Sequence, residues 1–354
     1  MSGELGERLH RWMLPTAVLS VDVAPDGSQI YAACMDGVYR VETSTGVTEK
    51  LDVHGSYASG VVVVPDRNVV ISAGYDGALQ WFDLAGKQRL RRVVAHRFWS
   101  WQLALAPDRK RFASVTGQYL AGGYKYEPQA SVEPCVLVYD VDSGELIWRF
   151  DHVPSVQSVA FSRDGQFLAA GNLMGEVRVW DLSDGKLVAQ WTTPDFTSWG
   201  IIKSHCYIGG IFSLMFSRDD ASLYLAGMGP MRDPMAGNGR QLWQKYSWQQ
   251  ASPVRVDQTH DGESGEGLME TLAMHPVHDQ FVMAGRLRGG EWNAARFDVA
   301  TGNRLQTLKT GVRITRAVYS ADGAKLVLGG ATSQQRPKDG KSPDFGVIDV
   351  LPVA

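Results

Sequence analysis

A motif of about forty residues recurs along the chain, and each copy carries the signals of four short strands separated by tight turns. The clearest copy runs from Ser155 to Trp191 and has turns at Asp164-Gly165 and at Gly185. The first strands of the seven copies, each with its turn, are Val18–Asp26, Ala58–Asp66, Ser100–Asp108, Val156–Asp164, Ile211–Asp219, Met269–Val277 and Ile314–Asp322. Repeats of this kind predict an all-β fold, a seven-bladed β-propeller of four-stranded antiparallel blades.

The last repeat lacks a fourth strand, and the N-terminus supplies a candidate for it. The final repeat stops at Ala354, shortly after its third strand, whereas Glu7–Trp12 reads like the fourth strands that follow a glycine elsewhere, such as Gly185–Trp191. We therefore expect residues 7–12 to pair with Gly346–Val350 as the last strand of the C-terminal blade. This pairing covers an edge that would otherwise favour aggregation, and it makes residues 1–354 a single propeller domain.

Short motifs within the repeats carry a family resemblance. One third strand ends Val179-Trp180-Asp181, Asp-Gly turns follow several first strands, and His54, His96 and His152 precede first strands at matching positions. On these motifs the chain resembles the WD40-repeat family over essentially its full length, in the divergent form of many bacterial propellers. The resemblance implies a hydrogen-bonded tetrad of such a histidine with a strand Ser or Thr, a turn Asp and the Trp.

The tetrad is incomplete in every repeat. The second repeat has His54, Ser72 and Asp76 but has Phe82 where the family has Trp, and the fourth repeat has His152 and the Trp without the polar partners. We therefore expect apolar packing between blades, together with the N-terminal strand, to contribute more to stability than the tetrad does.

Insertions lengthen some repeats well beyond the minimal forty residues or so. They lie either between the second and third strands or between one blade and the next, at Thr116–Glu133, Thr192–Gly210, Gly227–Arg240, Thr259–Gly267 and Ala331–Asp344. Strands alternate in direction within a blade, so both kinds of connection emerge on the same face, the top face. Loops on a rigid scaffold are where binding residues are commonly found.

The inserted segments contain aromatic, Met, Arg and His side chains, several of which are enriched in protein interfaces. We therefore predict a non-enzymatic scaffold that binds a protein or peptide partner through the top face. A simpler explanation is that the long loops have no ligand and were merely tolerated in evolution. The location of all five insertions on one face argues against that explanation. The predicted partner-binding residues are Tyr119, Tyr124, Tyr126, Trp199, His205, Met231, Arg232 and His260.

The alternative function is a small-molecule-binding or hydrolytic propeller with its site at the mouth of the central channel. A flat aromatic patch favours a protein partner, whereas a deep pocket with convergent ionisable side chains favours a ligand. No G-x-S-x-G segment is present, and carboxylates fall mostly in turns, where Asp is structurally expected. We therefore expect no catalytic residues.

Candidate ligand motifs are weak. The Gly-rich segment Gly227–Gly239 lacks the Gly-Lys-Ser/Thr ending of a phosphate-binding loop and is predicted to be a surface loop. Its methionines, with His205-Cys206, have the chemistry of a soft-metal site, but Met is also a common gap-filler. His275–His278 is predicted to be a solvated turn. We expect no metal and no cofactor.

The net charge indicates which kinds of partner are unfavourable, and the cysteines indicate the cellular compartment. The formal net charge of −3 gives no general attraction to nucleic acid or anionic membranes, and the basic run Lys87–Arg92 falls on an outer strand. Cys34, Cys135 and Cys206 have no metal-binding spacing and favour a reducing compartment. No secretory signal and no apolar run of transmembrane length is found. We expect a cytoplasmic protein, monomeric on its own, without nucleic-acid or membrane partners.

Overall fold

The computed structural model describes residues 4–118, 133–196, 210–233, 238–259, 267–287, 290–337 and 342–354. Regular structure in these ranges is almost entirely β: strands β1 to β28 and two short 3-10 turns, Pro65–Arg67 and Pro194–Phe196. None of the helical segments in the described ranges is long and apolar enough to cross a membrane. The strands form seven antiparallel sheets of four, which confirms the predicted seven-bladed β-propeller.

The chain divides into two compact units by its internal contacts. Unit 1 comprises Met1–Val94, Ala273–Arg286 and Trp292–Ala354, and unit 2 comprises Ala95–Leu272 and Leu287–Glu291. Each unit is described separately below. That residues 1–354 form a single domain stays a prediction.

Unit 1 contains the first two blades and the last. Blade 1 is β2 (Val18–Val23), β3 (Gln29–Cys34), β4 (Gly37–Glu42) and β5 (Thr48–Asp52). Blade 2 is β6 (Ala58–Val64), β7 (Val69–Gly74), β8 (Ala78–Asp83) and β9 (Gln88–Val94). Blade 7 is β26 (Arg313–Tyr319), β27 (Lys325–Ala331), β28 (Gly346–Pro352) and β1 (His10–Leu14). Most of blade 6 also lies here, with β23 (Gln280–Leu287), β24 (Ala294–Asp298) and β25 (Arg304–Leu308) following β22 (Gly267–Met274).

Unit 2 contains blades 3 to 5. Blade 3 is β10 (Gln102–Leu105), β11 (Arg111–Val115), β12 (Val136–Asp140) and β13 (Leu146–Phe150). Blade 4 is β14 (Val156–Phe161), β15 (Phe167–Asn172), β16 (Glu176–Asp181) and β17 (Leu187–Thr192). Blade 5 is β18 (Gly210–Phe216), β19 (Ser222–Asp233), β20 (Asn238–Ser247) and β21 (Val254–Gln258).

Burial falls from the first strands of a blade to its fourth. In blade 2, every residue of β6 and β7 is buried, whereas β9 is exposed or partly exposed along its length. Valine and isoleucine dominate the buried strands, because β-branched side chains fit an extended backbone that is covered on both faces. Blade 2 therefore buries two apolar faces and leaves its charged outer strand to solvent.

Side chains of one blade satisfy backbone groups on the first strand of the next. In unit 1, the Asp22 carboxylate on β2 accepts a hydrogen bond of 2.8 Å from the Val63 N–H on β6. In unit 2, the Gln102 side-chain oxygen accepts one of 2.8 Å from the Val159 N–H. A first strand lies at the edge of its sheet, so these bonds supply partners that no fifth strand provides.

The predicted N-terminal strand is present and begins later than expected. β1 pairs antiparallel with β28, from His10 opposite Val350 to Leu14 opposite Gly346. The residues before β1 are also fixed, because Leu5 forms a β-bridge with Val353 and both of its backbone groups bond the Gln306 side chain. Leu5 is buried in the core cluster of blades 6 and 7.

One ion pair anchors β1 to the blade. Arg11 donates from Nε and Nη2 to the two carboxylate oxygens of Asp349 at 2.7 and 2.6 Å, and Nη2 also donates to the Thr310 carbonyl at 3.1 Å. The Asp349 side chain is only 3% exposed. This bidentate geometry is the strongest form of a side-chain ion pair. Arg8 lies farther from the same carboxylate, at 3.7 Å.

Two expectations about loops were wrong. β19 continues to Asp233 and pairs through bulges with β20, which begins at Asn238, so the described parts of the Gly-rich segment Gly227–Gly239 are strand rather than loop. Continued pairing satisfies backbone groups that a loop would leave to solvent. His275 is buried rather than solvated, and its Nδ1 accepts hydrogen bonds from the backbone N–H groups of Val277 and His278.

Replacing Arg11 with Gln should destabilise the protein by about 3 kcal/mol, because the Asp349 carboxylate then stays buried without its bidentate partner. Arg8→Gln is the matched control, since the Arg8 side chain is 44% exposed and its distant pair contributes less than about 1 kcal/mol. Urea unfolding of both variants measures the two values. Equal losses would show that the bidentate pair has no special role.

Deleting residues 1–12 should lower the melting temperature by more than about 10 °C. The deletion removes the buried Leu5 side chain and the Arg11 pair, and it opens the edge of β28. Differential scanning calorimetry checks this. A synthetic peptide of residues 1–14 should restore part of the loss, and the same peptide with Arg11→Gln should restore less. Unchanged unfolding of the truncated protein would contradict the assignment.

Candidate partner-binding surface

The top end of a blade is the end at which its first strand begins and its second strand turns into its third. Two aromatic clusters lie at top ends among the described residues, one in each unit. In unit 2, Phe98, Trp99 and Trp101 occupy the connection that leads into β10. In unit 1, Tyr57 precedes β6, and Tyr75 lies in the turn after β7.

The cluster in unit 2, here called the Trp99 cluster, consists of Phe98, Trp99 and Trp101. Phe98 and Trp99 stack with ring centroids 5.0 Å apart and planes 10° apart, and Trp101 meets Trp99 edge-on at 5.3 Å. Trp99 is 39% exposed, and the other two side chains are partly exposed. Trp101 also packs against the buried core of its blade, so the exposed indole of Trp99 is held by rings that connect it to that core.

Backbone and side-chain hydrogen bonds fix the segment that carries the Trp99 cluster. The Thr116 hydroxyl donates to the Trp99 carbonyl at 2.8 Å, and the Trp101 indole N–H donates to the Gly117 carbonyl at 3.1 Å. The Arg97 N–H donates to the Glu133 carboxylate at 3.0 and 3.1 Å. The cluster is therefore tied to the residues that directly follow β11 and to Glu133, which lies three residues before β12.

His96 lies beneath this segment. Its Nε2 is 2.7 Å from the Ser114 hydroxyl, which is in turn 2.8 Å from the Ser100 hydroxyl. All three residues are buried, and burial lowers the pKa of His96 to about 4. A neutral histidine thus joins the connection before β10 to the middle of β11.

The tyrosines of unit 1 are arranged in the same way. Tyr57 is 42% exposed, and its ring lies 5.8 Å from the Tyr75 ring at 43°. The Tyr75 N–H donates to the Tyr57 carbonyl at 2.8 Å. His54 lies beneath them, with Nε2 at 2.9 Å from the Ser72 hydroxyl and Nδ1 at 3.0 Å from an Asp76 carboxylate oxygen.

The Ser72–His54–Asp76 set has the distances of a catalytic triad, but its surroundings exclude that role. Ser72 is 3% exposed and lies mid-strand, so its hydroxyl cannot meet a substrate. Burial lowers the pKa of His54, although the Asp76 carboxylate opposes that effect. Burial acts to raise the pKa of Asp76, and hydrogen bonds from Gly55, His54 and Ala78 outweigh it and lower the pKa. The set is therefore a structural network, as the WD40 resemblance implied.

In blade 4, the histidine at the position of His54 and His96 has different hydrogen-bond partners. His152 Nε2 lies 3.3 Å from the Ala170 carbonyl, and its ring meets Trp180 edge-on at 6.1 Å. Burial lowers the pKa of His152 to about 3. The side-chain oxygen of Asn172, rather than an aspartate, accepts the N–H groups of Met174 and Glu176.

The basic run on β9 is largely matched by acids of unit 1. Lys87 pairs with Glu49 at 2.8 Å, and Arg89 pairs bidentately with Asp52, both on the outer strand of blade 1. Arg92 pairs with Asp76 at 3.1 Å. The first two pairs connect the outer strands of blades 1 and 2, and the third lies within blade 2.

The residues predicted for partner binding lie mostly outside the described ranges, namely Tyr119, Tyr124, Tyr126, Trp199, His205 and His260. The backbones of Met231 and Arg232 belong to β19, and their side chains are outside the description. Their roles stay predictions. The Trp99 cluster was not predicted, because it lies in a short connection and not in one of the long insertions. The signal was the run Phe98-Trp99-Ser100-Trp101 directly before a first strand.

Comparison with known proteins supports the repeat assignment. A family profile described as the anaphase-promoting complex subunit 4 WD40 domain matches residues 133–204. Telomerase protein component 1 of Mus musculus is 24% identical over 181 residues, which cover 51% of this chain and 6% of that protein. WD repeat-containing protein SL1-17 of Schistosoma mansoni is 23% identical over 174 residues, 48% of this chain and 52% of that protein.

A plant relative gives a similar result. Small ribosomal subunit protein RACK1y of Oryza sativa subsp. japonica is 28% identical over 151 residues, which cover 40% of this chain and 39% of that protein. The aligned regions thus span from a small fraction to about half of these relatives. Together with the seven four-stranded blades, the matches confirm the resemblance to WD40-repeat proteins.

Acidification should loosen the histidine networks that support the top ends. His96 and His152 have lowered pKa values of about 4 and about 3 in the folded protein, against 6.5 ordinarily. Below pH 6.5 the unfolded chain binds protons that the folded chain does not, so stability falls as the pH falls from 6.5 towards 4. The loss is about 2 kcal/mol per histidine at pH 5.

Urea unfolding of wild type, His96→Gln and His152→Gln between pH 8 and pH 4 tests this expectation. Each variant should show a shallower decline than wild type below pH 6.5 and the same slope above pH 7, which serves as the internal control. Parallel curves for all three proteins would contradict the assignment of buried neutral histidines.

Proposed function

We propose that this WD40-type β-propeller is a non-enzymatic scaffold that binds a protein or peptide partner through the top ends of its blades. The observation that carries the proposal is the Trp99 cluster in unit 2. Trp99 is 39% exposed and stacks on Phe98 at 5.0 Å, so it offers an indole face that the blade itself does not cover. Tryptophan is among the residues that most often dominate the energy of protein interfaces.

Rigidity makes the cluster suited to binding. The Thr116 and Gly117 bonds, with the buried His96 network below, hold the aromatic segment to the sheet before any partner arrives. A preformed surface loses little conformational entropy on association, so more of the contact energy remains as affinity. Tyr57 and Tyr75 give unit 1 a second surface of the same design.

The predicted loop residues extend this proposal. Tyr119, Tyr124 and Tyr126 belong to the segment that joins β11 to β12, the second and third strands of the blade that carries the Trp99 cluster. By chain connectivity this segment leaves from the top end of blade 3. We propose that it contributes to the same partner-binding surface.

The relatives support a scaffold role in general terms. Two of them are named as a telomerase protein component and as a small ribosomal subunit protein, that is, as parts of larger assemblies. A hydrolytic propeller has less support, because the Ser72–His54–Asp76 set is sealed within blade 2. We therefore propose binding without catalysis.

Affinity capture from native lysate with quantitative mass spectrometry tests the proposal, using wild type, Trp99→Ala and Leu90→Ala as baits. Leu90 is the matched control because it is a large exposed apolar side chain, 56% exposed, on the outer strand β9. A specific partner should be retained by wild type and Leu90→Ala and reduced at least about tenfold by Trp99→Ala.

Each bait must first show the same melting temperature as wild type, so that misfolding is excluded as the cause of a loss. Equal recovery of every specific partner by Trp99→Ala and wild type would overturn the role of the cluster. Absence of any specific partner with all three baits would count against the scaffold proposal as a whole.

A further inference from the structure

One arginine of unit 1 stands apart from the others. Arg316 lies on β26, the first strand of blade 7, and makes no hydrogen bond or ion pair within 4 Å to any residue in the described part of the chain. By contrast, Arg11, Arg89 and Arg178 each bond a carboxylate at 2.9 Å or less. Arg316 is only partly exposed, and its guanidinium has no partner among the described residues.

The register of blade 7 shows where Arg316 points. Arg316 is directly opposite Gly329 on β27, so the two positions share one face of the sheet. A Cβ at Gly329 would come within 2.6 Å of the Val21 side chain and 3.0 Å of the Val18 side chain. This face therefore packs closely on β2 of blade 1, and the absence of a side chain at Gly329 makes the approach possible.

The Asp22 carboxylate on β2 acts electrostatically on Arg316, and both of its oxygens already accept backbone hydrogen bonds. Its charge opposes the lowering of the Arg316 pKa by burial, which is the larger effect. One carboxylate oxygen accepts the Val23 N–H at 2.9 Å, and the other accepts the Val63 N–H at 2.8 Å. Turning this carboxylate to Arg316 would leave the Val63 N–H without its partner.

The hydroxyl nearest in sequence is also engaged. The Thr315 hydroxyl, next in sequence, donates to the carbonyls of Val18 and Gly329 at 2.8 and 3.1 Å. A guanidinium stays charged and carries five N–H donors, and since none of them meets an acceptor among the described residues, the group is suited to bind an anion from outside. Leaving a charged group in a confined place without them is unfavourable.

We propose that Arg316 is the anchor of a binding site for a carboxylate anion. A planar carboxylate accepts two parallel N–H bonds from a guanidinium, which is the geometry that arginine binds best. One positive charge calls for a singly charged anion, and the field of Asp22 disfavours sulfate or phosphate more than a monocarboxylate. The carboxylate belongs either to a small free acid or to the C-terminus of a peptide.

Thermal unfolding in acetate tests the site. Wild type, Arg316→Met and Arg89→Met are compared at pH 7.5 in acetate, chloride and sulfate series of matched ionic strength. Wild type should gain about 2 °C at a tenfold excess of acetate over its dissociation constant, in a saturable manner. Arg316→Met should lose that gain, and it should be at least as stable as wild type in chloride, because an unpaired charge has been removed.

Arg89→Met controls for loss of a surface arginine and should keep the acetate response. Asp22→Asn is a second test of the same site, because it removes the negative charge that repels acetate. This variant should lower the half-saturating acetate concentration on the order of tenfold. Equal acetate responses in wild type and Arg316→Met would overturn the proposal. So would an Asp22→Asn response no stronger than that of wild type.

The source of the carboxylate is resolved by two further ligands, a short neutral peptide with a free C-terminus and the same peptide amidated. A response to the free-acid peptide that the amidated peptide lacks assigns the site to a chain terminus. A response to acetate alone assigns it to a small free acid. Responses of equal size to both peptides and to chloride would identify a nonspecific salt effect and contradict the site.

Discussion

The pairing of β1 with β28 is the interaction on which blade 7 depends. Without it, the last blade has three strands and an open edge, and the Asp349 carboxylate is buried beneath that edge. Arg11 lies on β1, the strand that pairs with the open edge, and its guanidinium supplies the positive charge that stabilises the buried Asp349 carboxylate. Residues far apart in the sequence thus become one sheet, and the free energy of that sheet depends on an ion pair between them.

The same physical problem recurs at the opposite edge of each blade. A first strand has a ladder partner on one side, and its other backbone groups need acceptors or donors from elsewhere. Asp22 supplies one for Val63, and Gln102 supplies one for Val159. These side chains explain why polar residues occur within otherwise apolar first strands. Arg316 occupies such a strand without a partner of this kind, which sets it apart from them.

The buried histidines connect stability to the candidate surface. His54 and His96 each join the connection before a first strand to a hydroxyl on the second strand, and each lies beneath exposed aromatic rings. Burial lowers the pKa of both histidines, and it lowers that of His96 to about 4, so the His96 network contains a neutral imidazole at neutral pH. The resemblance to WD40 repeats is thus visible in the structure as a support for the surface, even where the Trp of the tetrad is replaced by Phe82.

The sequence by itself determined the number of blades, the position of most strands and the origin of the last one. These follow from local signals, since Asp-Gly turns and alternating or continuous apolar strands depend on neighbouring residues. The tertiary structure alone decided which acid Arg11 meets, that β19 continues through Gly227 to Asp233, and that His275 is buried. It also decided that Phe98, Trp99 and Trp101 form a cluster with Trp99 exposed. Each of these depends on groups distant in sequence, because burial and pairing are properties of the space around a residue and not of the residue itself.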